Sequence, residues 1–393
     1  MEEINEVLRL IIKFLLNFVL HVMWIFPIKK NRISLINDLS YSYGDNLKYI
    51  CEYLIKRHPN KFEIVFPLKN KKEIRHSDTK IIIPGPKTIF TFYYLLTSHV
   101  LVTNVGGISY LPLRKNQLVI NTWHGGGPYK KTGIDTSHNL LFSYDMRISA
   151  NKTHYILSSC DIFTKKECKA LLFPRDKCLN IGSPRNDMMF QKGLNIKQKV
   201  YSFYGIQSNK KIALYAPTFR NKDNKVLLNR TAASTDLNYE AILSALEKRW
   251  GGDWILAQRF HPKLKNIEQE TSCNCVINFS SYPDMQELLY VADIVISDYS
   301  SLMWDFSLTG RPCFILSDDI EEYSRTRGFY IPIEKWPYPI AHNSNELFQN
   351  IINFDEKIYL EQLKYHHNES GSFETGTATK QLVKLICKHI KQN

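Results

Sequence analysis

No two cysteines in this chain are spaced C-x-x-C, although it carries eight: Cys51, Cys160, Cys168, Cys178, Cys273, Cys275, Cys313 and Cys387. Cys273 and Cys275 stand two apart, too close for ordinary zinc spacing, and in a chain of 393 residues the set reads as reduced cytosolic thiols rather than a disulfide framework. The glycine-lysine phosphate loop of the Walker type is absent, and so is G-x-G-x-x-G, so neither a kinase nor a dehydrogenase signature is present. There is no helix-turn-helix, RNP or zinc-finger pattern, no internal repeat and no low-complexity tract, which leaves nucleic acid as the weakest class of partner. Carboxylate clusters suited to magnesium are sparse. Only Asp298 and the pair Asp318–Asp319 keep divalent-metal dependence open, and the sequence identifies no certain cofactor.

Hydrophobic residues make up 44% of the sequence and aromatics 12%, enough to bury sizeable cores. Lysine and arginine number 51 against 38 acidic residues, giving a net charge of +13. That balance favours an anionic partner such as a phosphate-rich substrate or an anionic lipid surface.

The stretch LRLIIKFLLNFVLHVMWIFPIKKNR near the start reads as transmembrane by hydropathy, yet Arg9, Lys13, Asn17 and His21 recur every four residues. On a helix they form one polar stripe against leucine, isoleucine and phenylalanine. A signal peptide would begin with basic residues, whereas this chain begins with Glu2 and Glu3. The expectation is an amphipathic helix over 1–32 lying in a membrane interface, with Lys29, Lys30 and Arg32 on anionic headgroups. The alternative is an amphipathic helix packed on the protein's own core.

Beyond Pro27 the pattern is α/β. FEIVFPL (62–68), KIIIPG (80–85), HVLVTNVGG (99–107) and QLVINTWHGGG (117–127) read as buried strands closed by breakers, with a helix over 87–99. A second alternating series starts at KKIALYAPTFR (210–220) and runs to RPCFILSDD (311–319). Between them, 191–209 is polar and basic and reads as a linker. The expected architecture is two Rossmann-like domains, 33–190 and 210–393, facing across a cleft with ligands beyond the strands' carboxyl ends.

Polar residues stand at those strand ends. His124 follows LVINTW and precedes three glycines, Gly125, Gly126 and Gly127, with Lys130 and Lys131 behind. PTFR closes another strand, His261 a third, and Asp298, Ser300 and Ser301 open a helix that carries Asp305. A helix start with paired hydroxyls suits phosphate, and Arg185, Arg220 and Arg259 can grip phosphate in two-pronged fashion. Each has a plainer reading: Ser300 or Ser301 as an N-cap, the aspartates as dipole partners, the histidines as solvated strand-end residues.

Four pieces in order, WHGGGPYKKTG, GSPRND, RFHP and SDYSSLMWDFSLTGRPCFIL, the last extending to YSRTRGFY, resemble the CDP-glycerol glycerophosphotransferase family of teichoic acid primases, polymerases and related capsule enzymes. The resemblance covers Asn37 to about Gly376. It implies a GT-B-like fold, with the first domain on the acceptor side and the second binding a CDP-alditol. It also implies transfer of glycerol phosphate, or a related alditol phosphate, to a hydroxyl of a lipid-linked saccharide or polymer acceptor, releasing CMP, at the cytoplasmic face of a bacterial membrane. The family's two functional histidines fall on His124 and His261. Its donor-binding positions fall on Trp123, His124, Gly125, Gly126, Arg185, Thr218, Phe219, Arg220, Arg259, Ser300, Ser301 and Asp305. Many wall teichoic enzymes read W-H-G-T-P where this chain reads Trp123-His124-Gly125-Gly126-Gly127-Pro128. The missing threonine hydroxyl points toward a different acceptor or alditol, as in a capsule enzyme. A GT-B glycosyltransferase using a nucleotide sugar is the nearest rival, and its glutamate-rich donor motif is not evident. A non-enzymatic membrane-associated binding protein is the other, and it would need no histidine pair.

Overall fold

A computed structural model describes residues 2–74, 81–137, 139–218, 221–222, 225–226, 237–260 and 276–392. They divide into two compact units, Met1–Asp187 with Gly371–Asn393, and Met188–Ser370.

The first unit is built on a seven-stranded parallel sheet. Its strands are β1 (Lys29–Ile36), β2 (Glu63–Val65), β3 (Ile81–Ile82), β4 (Ser98–Thr103), β5 (Leu118–Asn121), β6 (Tyr155–Ser158) and β7 (Cys178–Asn180), in the order β3-β2-β1-β4-β5-β6-β7. Side chains alternate across it. Ile33, Leu35, Val100, Val102, Leu118 and Ile120 enter one core, while Ile36, Leu101 and Val119 enter the opposite one. The helices of this unit are α1 (Glu2–Leu20), α2 (Asp45–Arg57), α3 (Ile89–Thr97), α4 (Leu140–Lys152) and α5 (Asp161–Ala170). α2 covers the first face with Leu47, Ile50 and Leu54. α3 covers the second with Leu95 and Leu96, joined by Leu20 and Met23 from the end of α1 and the 3-10 turn after it.

The second unit carries the six-stranded parallel sheet β12-β11-β8-β13-β14-β15 and a short antiparallel hairpin. Its strands are β8 (Lys211–Tyr215), the hairpin strands β9 (Asn221–Lys222) and β10 (Lys225–Val226), β11 (Trp254–Gln258), β12 (Val276–Asn278), β13 (Ile294–Ser297), β14 (Cys313–Leu316) and β15 (Ile340–Ala341). Its helices are α6 (Ile196–Tyr204), α7 (Tyr239–Trp250), α8 (Met285–Val291), α9 (Leu302–Ser307), α10 (Ile320–Thr326), α11 (Ser344–Ile352) and α12 (Glu356–Ser370). The chain ends in α13 (Ala378–Gln392).

Three sequence expectations change here. The polar stretch 191–209 is not merely a linker: it contains α6, which packs on α8 with a Lys199–Glu287 ion pair at 2.7 Å, while Tyr204 stacks at 4.1 Å on Phe279, just past β12. Residues 371–393, expected with the second half, group with the first. There Leu382, Val383 and Ile386 of α13 complete the core beside α2, and Asp187 accepts the Ala378 and Thr379 N–H groups at 2.9 and 2.8 Å.

The third concerns the start of the chain. Lys29, Lys30 and Arg32 belong to β1, and Arg32 is buried against Glu63 and Thr97 with its guanidinium 4.9 Å from the Tyr94 ring centre. It therefore cannot reach a headgroup. The middle of the polar stripe also turns toward protein, where Lys13 pairs with Asp145 and Asn17 donates to the Tyr110 carbonyl at 3.2 Å, while Arg9 and His21 stay exposed. Leu10, Leu20 and Met23 are buried, but much of the apolar surface is left outside, with Phe18 78% and Ile25 79% exposed.

Candidate functional site

Both sheets have a switch point, where successive strands run off in opposite directions from one pair, and ligands in such folds sit beyond the carboxyl ends there. In the first sheet the pair is β1 and β4, and in the second it is β8 and β13. Polar candidates occupy both, and each unit is considered by itself.

In the first unit, β5 runs into Thr122 and Trp123. Trp123 takes a left-handed φ of +55°, held by its N–H donating to Asn121 Oδ1 at 2.8 Å and by Asn46 Nδ2 donating to its carbonyl at 3.0 Å. A non-glycine residue in that conformation is strained, and surroundings this constrained are what sustain it. His124 follows, its ring 4.3 Å from the Trp123 ring. Its Nδ1 lies 3.0 Å from the Asn104 carbonyl oxygen. A carbonyl only accepts, so Nδ1 carries the hydrogen and Nε2 keeps the lone pair. Burial pulls the imidazole below its ordinary pKa. The Asn104 carbonyl and Asp45 oppose that shift, while Arg185 and Lys130 reinforce it. A neutral ring with an accepting Nε2 is the form a general base requires.

Arg185 comes from GSPRND. Its Nη1 donates to the His124 carbonyl and to Asp45 Oδ1, both at 2.7 Å, and its backbone N–H donates to Asn46 Oδ1 at 3.0 Å. The next two residues of that motif are structural, because Asn186 donates to Glu374 at 3.0 Å and Asp187 caps α13. Of Gly125, Gly126 and Gly127 only Gly127 has a positive φ, +73°, and its N–H donates to Ser159 Oγ at 3.2 Å. Further along, a Cβ on Gly133 would lie 2.2 Å from the Ala170 carbonyl oxygen, so glycine is required there for close packing on the end of α5.

In the second unit, Asp298 is fully buried at the end of β13. It reaches across the switch point to accept the Thr218 N–H at 2.9 Å and the Thr218 hydroxyl at 2.7 Å. Oδ2 thus ties the ends of β8 and β13 together. Asp305 is buried and accepts from Gln286 Nε2 at 2.8 Å. Arg259 donates to the Phe279 and Tyr282 carbonyls at 3.2 and 2.7 Å. The helix start at Ser300 and Ser301 differs from expectation. The Leu302 N–H turns to Ser300 Oγ at 3.4 Å, and the Met303 and Trp304 N–H groups to the Ser300 and Ser301 carbonyls, both at 3.2 Å. Those three donors are already engaged by the tight first turn of a short helix. The two half-buried serines, Ser301 with no cap bond from its side chain, remain as the polar groups of this rim.

Phe219, Arg220 and His261 lie outside the described residues, as do Cys273 and Cys275. Among the described residues no group of three histidine, cysteine or carboxylate side chains could hold a metal ion. Asp45, Asn46 and Asn104 went unnoticed in the sequence. Their only local signal is an Asp-Asn pair at a helix start, and their contacts span 20 to 140 residues of chain.

Two doubly wound parallel sheets in one chain, each with polar residues gathered at its switch point, define the GT-B-like class of two-domain enzyme. The chain belongs to the CDP-glycerol:poly(glycerophosphate) glycerophosphotransferase family, whose model matches residues 18–388. It is 28% identical over 371 residues to a teichoic acid poly(glycerol phosphate) polymerase of Staphylococcus epidermidis, covering 89% of this chain and 50% of that protein. It is 27% identical to a teichoic acid poly(ribitol-phosphate) polymerase of Bacillus spizizenii, covering 92% of this chain and 57% of the other. The chain thus spans about half the length of these relatives. A variant of the wall teichoic acid polymerase TagF, soaked with CDPG, superposes with a TM-score of 0.82 at 25% identity, covering 99% of this chain and 97% of that one.

Proposed function

We propose that this chain transfers glycerol phosphate, or a related alditol phosphate, from a CDP-alditol to a hydroxyl of a lipid-linked or growing polymer acceptor, in teichoic acid or capsule synthesis. The observation that carries the reading is the His124 imidazole. It is held neutral by burial and donates through Nδ1 to the Asn104 carbonyl, so that Nε2 can accept a proton. In the reaction the acceptor oxygen bonds to the β-phosphorus of the donor as its proton passes to Nε2. The bond from that phosphorus to the bridging oxygen breaks, and its electron pair leaves on CMP. Arg185 supplies positive charge beside this loop. Thr218, Phe219, Arg220, Arg259, Ser300, Ser301 and Asp305 belong to the donor side of the reading. Arg259 and Asp305 act there through the carbonyls and the amide they hold. His261 enters through its place in RFHP alone, as a donor of hydrogen bonds to the diphosphate that steadies the charge on departing CMP.

The test is mass spectrometry of products from CDP-glycerol, CDP-ribitol and UDP-sugars offered with a lipid-linked acceptor. CMP release with an alditol phosphate increment is expected, and the alditol that reacts names the substrate. A hexose increment from a UDP-sugar would instead assign the rival glycosyltransferase activity.

The same reading places the chain on the cytoplasmic face of a membrane through α1. Residues 5–25 are long and apolar enough to cross a bilayer by length and composition. The inward-turned middle of the polar stripe favours a helix lying along the surface, with its apolar side toward lipid. Phe18→Asp together with Leu15→Asp, at positions 78% and 61% exposed, is expected to cut vesicle binding at least tenfold without lowering the melting temperature. Loss of each apolar group from the interface is worth roughly 1.5–3 kcal/mol. Lys13 is paired and Arg32 buried, whereas Arg9, Lys29 and Lys30 stay exposed, so added salt should weaken that binding only in part. Binding abolished by moderate salt, or untouched by the double substitution, would refute this orientation.

A further inference from the structure

We propose that Asp45 is the positioning residue of the His124 loop, one carboxylate holding both groups that fix the histidine. The inference rests on His124 acting as general base. Asp45 opens α2 with a φ of +56°, in the left-handed region that favours glycine. An aspartate there is strained, and its carboxylate is where the compensation lies. Oδ1 accepts from Arg185 Nη1 and Oδ2 from Asn104 Nδ2, both at 2.7 Å. Those partners converge on one residue. The Asn104 carbonyl takes the His124 ring hydrogen at 3.0 Å, and the same Arg185 nitrogen donates to the His124 backbone carbonyl at 2.7 Å. The carboxylate thus sets the ring through one partner and the main chain through the other. Asn46 beside it reinforces the clamp by joining the Trp123 carbonyl to the Arg185 N–H, both at 3.0 Å.

The charged groups acting on the imidazole are Asp45 on α2, Arg185 from the GSPRND turn and Lys130 behind the glycines. The first favours the protonated ring and the other two oppose it. Removing the Asp45 charge therefore lowers the affinity of His124 for a proton, which moves the acid limb of the rate profile toward lower pH. A residue needed only for folding would leave that limb unmoved.

Asp45→Gly separates the two roles, because glycine relaxes the backbone while deleting the carboxylate. In the full chain the relaxed backbone offsets only part of the two lost hydrogen bonds, so the variant is expected to melt below the parent temperature while remaining folded. Its kcat should fall about 10- to 100-fold, the scale of a misplaced catalytic group. The KM for the CDP-alditol should rise by less than kcat falls, and the acid limb of kcat/KM should move to lower pH. Asp45→Asn should show the same limb shift with a smaller loss of rate, and it decides the matter if Asp45→Gly does not stay folded. Parent kcat with an unmoved limb in both variants, or a rise in KM alone, overturns the positioning role. His124→Ala is the control. If it stays active the general-base reading fails, whereas an inactive His124→Ala beside fully active Asp45 variants defeats the present inference only.

Discussion

Replacing His124 with alanine is expected to lower turnover by about 100- to 10,000-fold, the usual contribution of a positioned general base. CDP-alditol binding should change far less, because the substitution removes only the ring. The His124 carbonyl that Arg185 grips at 2.7 Å survives in alanine. The pH dependence follows with a definite sign. The base works when unprotonated, so kcat/KM rises with pH through the pKa of the free enzyme's imidazole. Burial depresses that pKa from its ordinary 6.5, so the parent should reach its plateau at lower pH than a solvent-exposed histidine would give. His124→Ala should lose that limb altogether. Isothermal titration with the donor and CMP release measured across pH give both quantities. Near-parent turnover in a variant that still binds donor would remove His124 from the chemistry.

The strands were legible where an apolar run ends in a breaker. LVIN before the glycines and IVIS before Asp298 became β5 and β13 with their polar residues at the carboxyl ends. β1 was not, because its first half reads Lys-Lys-Asn-Arg. Nothing local says that Arg32 will be buried with Glu63 from a strand that arrives 31 residues later. The four-residue recurrence in α1 correctly marked an amphipathic helix, yet periodicity fixes only that two faces differ. Which face meets protein was decided by Asp145 and the Tyr110 carbonyl, groups far along the chain. The same limit hid the surroundings of His124. The residue announced itself by composition, a histidine between a β-run and glycines, whereas the carboxylate and amide that orient it announce nothing until the sheet brings β1, β4 and β5 side by side. The RFHP histidine and the end of PTFR lie outside the described residues, so their part stands on the motif alone.

Asp298→Ala is expected to be the most destabilising single change on the donor side. The carboxylate is fully buried and accepts both the N–H and the hydroxyl of Thr218. Hydrogen bonds to a charged group contribute about 1.5–3 kcal/mol each, so losing two should cost roughly 3–6 kcal/mol, a large part of the 5–15 kcal/mol that holds a typical domain folded. With two units in one chain, a single melting curve need not be two-state. Hydrogen exchange in β8 and β13, where the bonds join neighbouring strand ends, is the better measure. Function should follow stability in a graded way. Thr218 leads directly into Phe219 and Arg220, so an unanchored Thr218 leaves that segment without a fixed origin, and the donor's dissociation constant should rise even where the unit stays folded. Thr218→Val removes the hydroxyl bond and keeps the N–H bond, so it should show about half the loss in protection and a smaller change in donor affinity. If Asp298→Ala kept parent exchange rates in both strands and parent donor affinity, the contact across the second switch point would be incidental, and the donor side of the proposal would have to rest on Ser300 and Ser301 instead.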